Sequence, residues 1–74
     1  MDLRQLRYFA AVARHGGISA AAQAVHIAQP ALTRQMQALE DELGTLLLER
    51  TTRGVTLTDA GRQLLADADK LLED

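Results

Sequence analysis

The sequence predicts a mainly α fold: a winged helix-turn-helix of three helices and a two-stranded wing, followed by a long linker or dimerisation helix. Three observations support it. Between Ser19 and Gly44 an alanine-rich helix, a turn and a proline-started helix follow one another. After Gly44 the period shortens to two strand-length runs around Thr51-Thr52-Arg53-Gly54. Beyond Thr58 one apolar stripe runs through Gly61, Leu64, Leu65, Ala68, Leu71 and Leu72. The boundaries this implies are a winged helix-turn-helix domain over 1–58 and a linker helix over 59–74.

Leu3, Leu6, Phe9, Ala10 and Ala13 recur at helical spacing, and Gly16-Gly17 ends that first helix after about a dozen residues. Ser19 is expected to cap the second helix, whose Ala20, Ala21, Ala22 and Ala24 combine high helix propensity with small side chains, so a neighbouring helix can lie close. The turn His26-Ile27-Ala28 leads into a third helix at about 29–43. Pro30 suits a first helical turn, where no backbone donor is needed. Gly44 is placed for a left-handed cap. Thr45–Arg50 and Val55–Thr58 read as the strands of a wing over 46–58, which must lie on the helices because two strands alone are not stable. Thr58 supplies a hydroxyl cap and Asp59 a first-turn acid for the last helix.

The third helix carries the functional signal. Leu32, Met36, Leu39 and Leu43 fall in one stripe at about 100° per residue, and Pro30, Thr33, Arg34 and Gln37 point the other way. With Gln29 at the tip, this outward face offers the side chains that read base edges: Gln for adenine, Arg for guanine, Thr for a hydrogen bond or a thymine methyl. A solvated polar face is the plain alternative, but this one has no acid until Asp41, and the run Glu40-Asp41-Glu42 comes where a groove-inserted helix has left the phosphates. In the wing, Arg50 and Arg53 suit phosphate or narrow minor-groove contact. Thr51 and Thr52 could donate to phosphate.

Composition sets the frame. A chain of 74 residues buries only about 60% of its unfolded surface, so a partner is expected. Apolar residues make up 47% and aromatics 3%, predicting a core of Leu, Ala and Val rather than rings. The net charge of −2 is unusual for a nucleic-acid binder, but its distribution resolves most of this. Residues 1–39 hold four arginines against Asp2 and sum to +3, whereas 40–74 hold four cations against nine acids and sum to −5. Without cysteine there is neither disulfide nor thiolate metal site, and a reducing cytoplasmic setting is expected. His15 and His26 have no second ligand at metal spacing. No catalytic arrangement and no glycine-rich phosphate loop are present, so neither an enzyme nor a cofactor is expected. The apolar stripe of the last helix has little domain left to cover and is assigned to pairing with a second copy, with Gly61 allowing close approach.

Taken in order, these motifs resemble the N-terminal DNA-binding domain of LysR-type transcriptional regulators along the whole chain. The resemblance rests on Leu3, Leu6 and Phe9, on Ala21-Ala22, and on Gln29-Pro30-Ala31-Leu32-Thr33-Arg34-Gln35. It continues through Leu39-Glu40, Leu43-Gly44, Leu47-Leu48-Glu49-Arg50 and Leu57-Thr58-Asp59-Ala60-Gly61. It implies a bacterial regulator binding promoter DNA as a homodimer through the linker helix, or as a tetramer in the full-length protein, with a small-molecule inducer bound by a C-terminal effector domain that this chain lacks. It also implies base or groove contact by Gln29, Pro30, Thr33 and Arg34 and wing contact by Arg50 and Arg53. Three positions depart from the pattern: Ala28 where a capping serine is frequent, Leu48 for phenylalanine and Thr33 for serine. The run His26–Pro30 is similar to regulators of aromatic-compound catabolism. The competing reading is a winged-helix protein-interaction or dimerisation module without DNA binding, suggested by the negative charge and the apolar last helix.

Overall fold

Six elements follow in the order α1 (Leu3–His15), α2 (Ile18–Val25), α3 (Gln29–Leu43), β1 (Leu48–Thr51), β2 (Gly54–Leu57) and α4 (Asp59–Leu72). The computed structural model describes residues 1–73; Asp74, counted above among the acids of the tail, lies outside the described residues. Phe9, Val12, Ala21, Ala22, Leu32, Met36, Leu39 and Leu47 form the buried core, so α1, α2, α3 and the residue preceding the wing each contribute a face. The expectation of a core without rings fails at its centre and also at its margin, where Tyr8 packs against the cluster. Phe9, the only phenylalanine in the chain, is fully buried and is the largest such side chain.

Most helix ends lie where the sequence places them. Asp2 caps α1 by accepting from the Gln5 amide at 2.8 Å, and Gly16 closes it in the left-handed region at φ 70°. Thr58 caps α4, its hydroxyl accepting from the Gly61 amide at 3.0 Å. Gly44 ends α3 at φ 68°. Ser19 does not cap α2: the cap is Gly17, with no side-chain hydrogen bond, and Ser19 lies inside the first turn. The reason is geometric. A cap must have extended backbone, which Gly17 has at φ −179°, ψ 162°, whereas helical dihedrals have begun at Ile18.

The strands are shorter than the alternating pattern suggests. They pair antiparallel with Leu48 opposite Leu57 and Thr51 opposite Gly54, leaving Thr52-Arg53 as a two-residue turn. Thr45, Leu46 and Leu47 stay out of the ladder because their region is bonded elsewhere. The Glu40 carboxylate accepts from the Leu47 and Leu48 amides at 2.8 and 3.1 Å, and the Leu47 carbonyl accepts from the Thr58 amide at 3.1 Å. On the other edge the Val55 amide donates to the Gly16 carbonyl at 2.9 Å, which ties β2 to the end of α1.

The apolar stripe of α4 divides. Gly61 and Ala68 are buried within the chain itself, and Leu64 and Leu65 pack against the core, which corrects the expectation that the domain leaves this stripe uncovered. Leu72 is half-buried, and Leu71 is 63% exposed. What comes close at Gly61 is the Leu47 backbone rather than a second copy: a Cβ at this position would overlap the Leu47 carbonyl oxygen and meet its carbon at 3.1 Å. Replacing a helical glycine by alanine ordinarily gains about 1 kcal/mol of helix propensity, but here overpacking reverses the sign. Gly61→Ala should therefore lose about 1–3 kcal/mol in chemical denaturation. Gly17→Ala, which meets open space, should change stability by only a fraction of that.

Candidate nucleic-acid interface

The face of α3 opposite the core is set by the burial of Leu32, Met36 and Leu39. With those three turned inward, Gln29, Pro30, Arg34 and Gln37 are exposed and Thr33 is half-buried at the edge of the stripe. Gln29, Pro30, Thr33 and Arg34 line one shallow surface depression at the N-terminal end of the helix. Gln37 stands one turn further on and borders a second depression with Glu40, Asp41, Gly44, Thr45 and Leu46. The structure thus brings four of the five expected reading residues together and sets the fifth beside them.

The helix begins without a side-chain cap. Ala28 occupies the capping position with extended backbone (φ −69°, ψ 146°) and offers no acceptor, so the first-turn amides of α3 open on the same surface as Gln29 and Pro30. The positive end of the helix dipole faces outward there, a favourable place for an anion. His26 is a turn residue: it closes α2 in the left-handed region at φ 60°.

At the wing, Arg50, Thr51, Thr52 and Arg53 are all exposed. Thr51 is not a free donor. Its hydroxyl donates to the Gly54 carbonyl at 3.3 Å and accepts from the Arg53 amide at 3.2 Å, so it shapes the turn that presents Arg53. Thr52 carries no such bond among the described residues. Gly54 is required where it stands, at φ 131° with the Gly16 carbonyl oxygen against its Cα. A side chain there would push the wing off α1.

The arginines separate into two groups. Arg14 pairs with Asp69, and Arg62 pairs with Asp59 while donating to the Leu57 carbonyl at 3.1 Å. Arg34, Arg50 and Arg53 have no ion-pair partner among the described residues. The third helix and the wing therefore keep their arginines available for an anionic ligand, as α1 keeps Arg4 and Arg7, although the whole chain is acidic. Among the described residues no group of three or more His, Cys, Asp or Glu could hold a metal ion, and no helix is long and apolar enough to cross a membrane.

A description of bacterial regulatory helix-turn-helix proteins of the lysR family matches residues 3–62. The chain belongs to the LysR family. It is the DNA-binding helix-turn-helix domain of a transcriptional regulator and not an enzyme. It is 61% identical to the HTH-type transcriptional regulator ClcR of Pseudomonas putida over 72 residues, which is 97% of this chain and 24% of ClcR. It is 60% identical, also over 72 residues, to TfdT of Cupriavidus pinatubonensis, covering 97% of this chain and 32% of TfdT. The chain thus spans about a quarter to a third of the length of these two relatives. Among solved structures it superposes on the CbnR DBD in complex with DNA at a TM-score of 0.93 and 56% identity, over 99% of this chain and 84% of that one. It superposes on the BenM DBD with catB site 1 DNA at 0.95 and 49%, over 99% and 81%.

One residue that matters to this LysR-type domain escapes the sequence reading. Glu40 reads as one of three consecutive acids at the solvated end of α3, yet its carboxylate is tied to the wing. A signal was available: successive helical residues point about 100° apart, so Glu40, Asp41 and Glu42 cannot share a face. Glu40 falls on the side of α3 next to the strands. The bare cap at Ala28 yields a prediction. Ala28→Ser should raise stability by about 1 kcal/mol in denaturant unfolding by supplying the missing acceptor, and an unchanged midpoint would show that the α3 amides are already satisfied.

Proposed function

We propose that this chain is the sequence-reading part of a LysR-type regulator, acting as a two-fold dimer on an imperfect inverted repeat. Helix α3 enters the major groove and the wing lies at the adjacent minor groove. The observation that carries this reading is the outward face of α3, where Gln29, Pro30, Thr33 and Arg34 share one depression and Gln37 extends it, with no acid until Asp41. Donors and acceptors of this kind at the start of a helix match the pattern presented in a major groove. The names of the solved relatives support it, since the CbnR and BenM domains are described in complex with DNA.

In this reading Arg34 makes the bidentate contact, Gln29, Thr33 and Gln37 read or position neighbouring bases, and Pro30 sets the backbone close to the groove. Arg50 and Arg53 enter or flank the minor groove, and Thr52 donates to phosphate. Residues 59–74 act as the linker, pairing two copies through Leu71, Leu72 and the outer edges of Leu64 and Leu65. The greater length of the relatives leaves room for an effector domain that binds a small-molecule inducer, in a regulator that works in the bacterial cytoplasm.

In vitro selection of duplexes on the chain at low salt tests the reading. Enrichment of a two-fold symmetric motif is expected, and a bound pool with no enriched motif would overturn sequence reading in favour of a protein-interaction module. On the selected site, Arg34→Ala should lose about 1–3 kcal/mol and relax preference at one position of each half-site; equal losses on selected and scrambled duplexes would contradict its role. Arg53→Ala should weaken binding more where the flanks are A/T-rich than where they are G/C-rich, because a narrow groove concentrates negative potential.

A further inference from the structure

We infer that Glu40 is a positioning residue for DNA reading: it fixes the distance between recognition helix and wing and so couples half-site recognition to recognition of the flank. The inference rests on the DNA-reading function proposed above. One carboxylate oxygen of Glu40 accepts from two consecutive backbone amides, Leu47 at 2.8 Å and Leu48 at 3.1 Å. Leu48 is the first residue of β1, and Glu40 lies less than one helical turn beyond Gln37. Two groups that would touch DNA, Arg34 with Gln37 on α3 and Arg50 with Arg53 on the wing, are thus joined by one side chain bonded at both ends of the gap.

The bond pattern makes this an unusual use of an acid. Asp41 is an exposed carboxylate and Glu42 pairs with the chain terminus. Glu40 is the one of the three that turns toward the strands, and it removes two amide donors that would otherwise end in a gap between helix and ladder. Charge-assisted bonds to backbone N–H groups are the stronger kind. On the far edge the wing is held by the Val55 amide on the Gly16 carbonyl. Loss of Glu40 therefore removes the direct hydrogen bonds between the wing and α3 and leaves the wing attached to α1 through Val55 and to the start of α4 through Thr58. The wing would swing relative to α3 without leaving the domain, and the core residues of α3 would stay in place.

Three forms of the chain test this: wild type, Glu40→Ala and Glu40→Gln, the last keeping an acceptor of the same reach without the charge. Amide hydrogen exchange on the free chains is read first. Glu40→Ala should exchange roughly tenfold faster at Leu47 and Leu48, with Glu40→Gln between it and wild type and the amides inside α3 unchanged. Binding is then measured on four duplexes combining intact or altered half-sites with A/T-rich or G/C-rich flanks, with Arg53→Ala as reference. Glu40→Ala should keep its preference for the intact half-site and lose its flank preference to the level of Arg53→Ala, and Glu40→Gln should recover part of it. A merely structural role would lower affinity for all four duplexes by one factor and leave both preferences intact, which would overturn the inference. Unchanged exchange at Leu47 and Leu48 would overturn it without reference to DNA. If Arg53→Ala itself leaves the flank preference unchanged, the failure lies in the proposed wing contact, and the coupling through Glu40 falls with it.

Discussion

Leu47 is the residue on which the second half of the molecule depends. Its side chain is buried in the core, its amide donates to Glu40 of α3, and its carbonyl both accepts from the Thr58 amide and lies against the Cα of Gly61. Helix α3, the wing and helix α4 are thereby all referred to one peptide. Thr58 tightens the arrangement, because its hydroxyl caps α4 while donating to the Leu46 carbonyl at 2.7 Å. In a chain of 74 residues the apolar core is small, and backbone bonds of this kind take over the task of orienting peripheral elements.

The same economy shapes the electrostatics. The domain carries a net charge of −2, yet its surface is not uniformly acidic toward a ligand. Arg14 of α1 pairs with Asp69 of α4, whereas Arg62 pairs with Asp59 inside α4 and reaches the wing by donating to the Leu57 carbonyl. Exposed pairs of this sort contribute little stability individually, so their main effect is to spend acids of the tail on structural cations. The arginines of the third helix and the wing remain without such partners among the described residues, and the reading surface keeps its positive character.

Much of this was legible in the residues. The burial of Leu32, Met36 and Leu39 follows from their spacing, and with it the outward direction of Pro30, Arg34 and Gln37. Gly16, Gly44 and Thr58 cap the helices as their chemistry demands. The structure departs from the residue pattern where backbone geometry or packing, rather than a side chain's own chemistry, sets the role. Ser19 has the chemistry of a cap, but the chain had already turned helical one residue before it. Leu3 belongs to the periodic pattern of α1, yet at the helix start it runs past the end of the core and is 53% exposed. Thr51 has a phosphate donor's chemistry, but its hydroxyl is committed to the wing turn.

The sequence by itself determined the local elements, their order, the inward and outward faces of α3 and the family to which the chain belongs. These depend on periodicity, capping chemistry and motif spacing, all of which act over a few residues. Only the tertiary structure decided what Glu40 does, what approaches Gly61, and how much of the α4 stripe the domain itself covers. Each depends on a group in another element, brought near by packing: the Leu47 and Leu48 amides for Glu40, the Leu47 carbonyl for Gly61, and the core side chains for Leu64 and Leu65. A helical wheel gives the direction in which a side chain leaves its helix. What waits in that direction is fixed by how the elements pack.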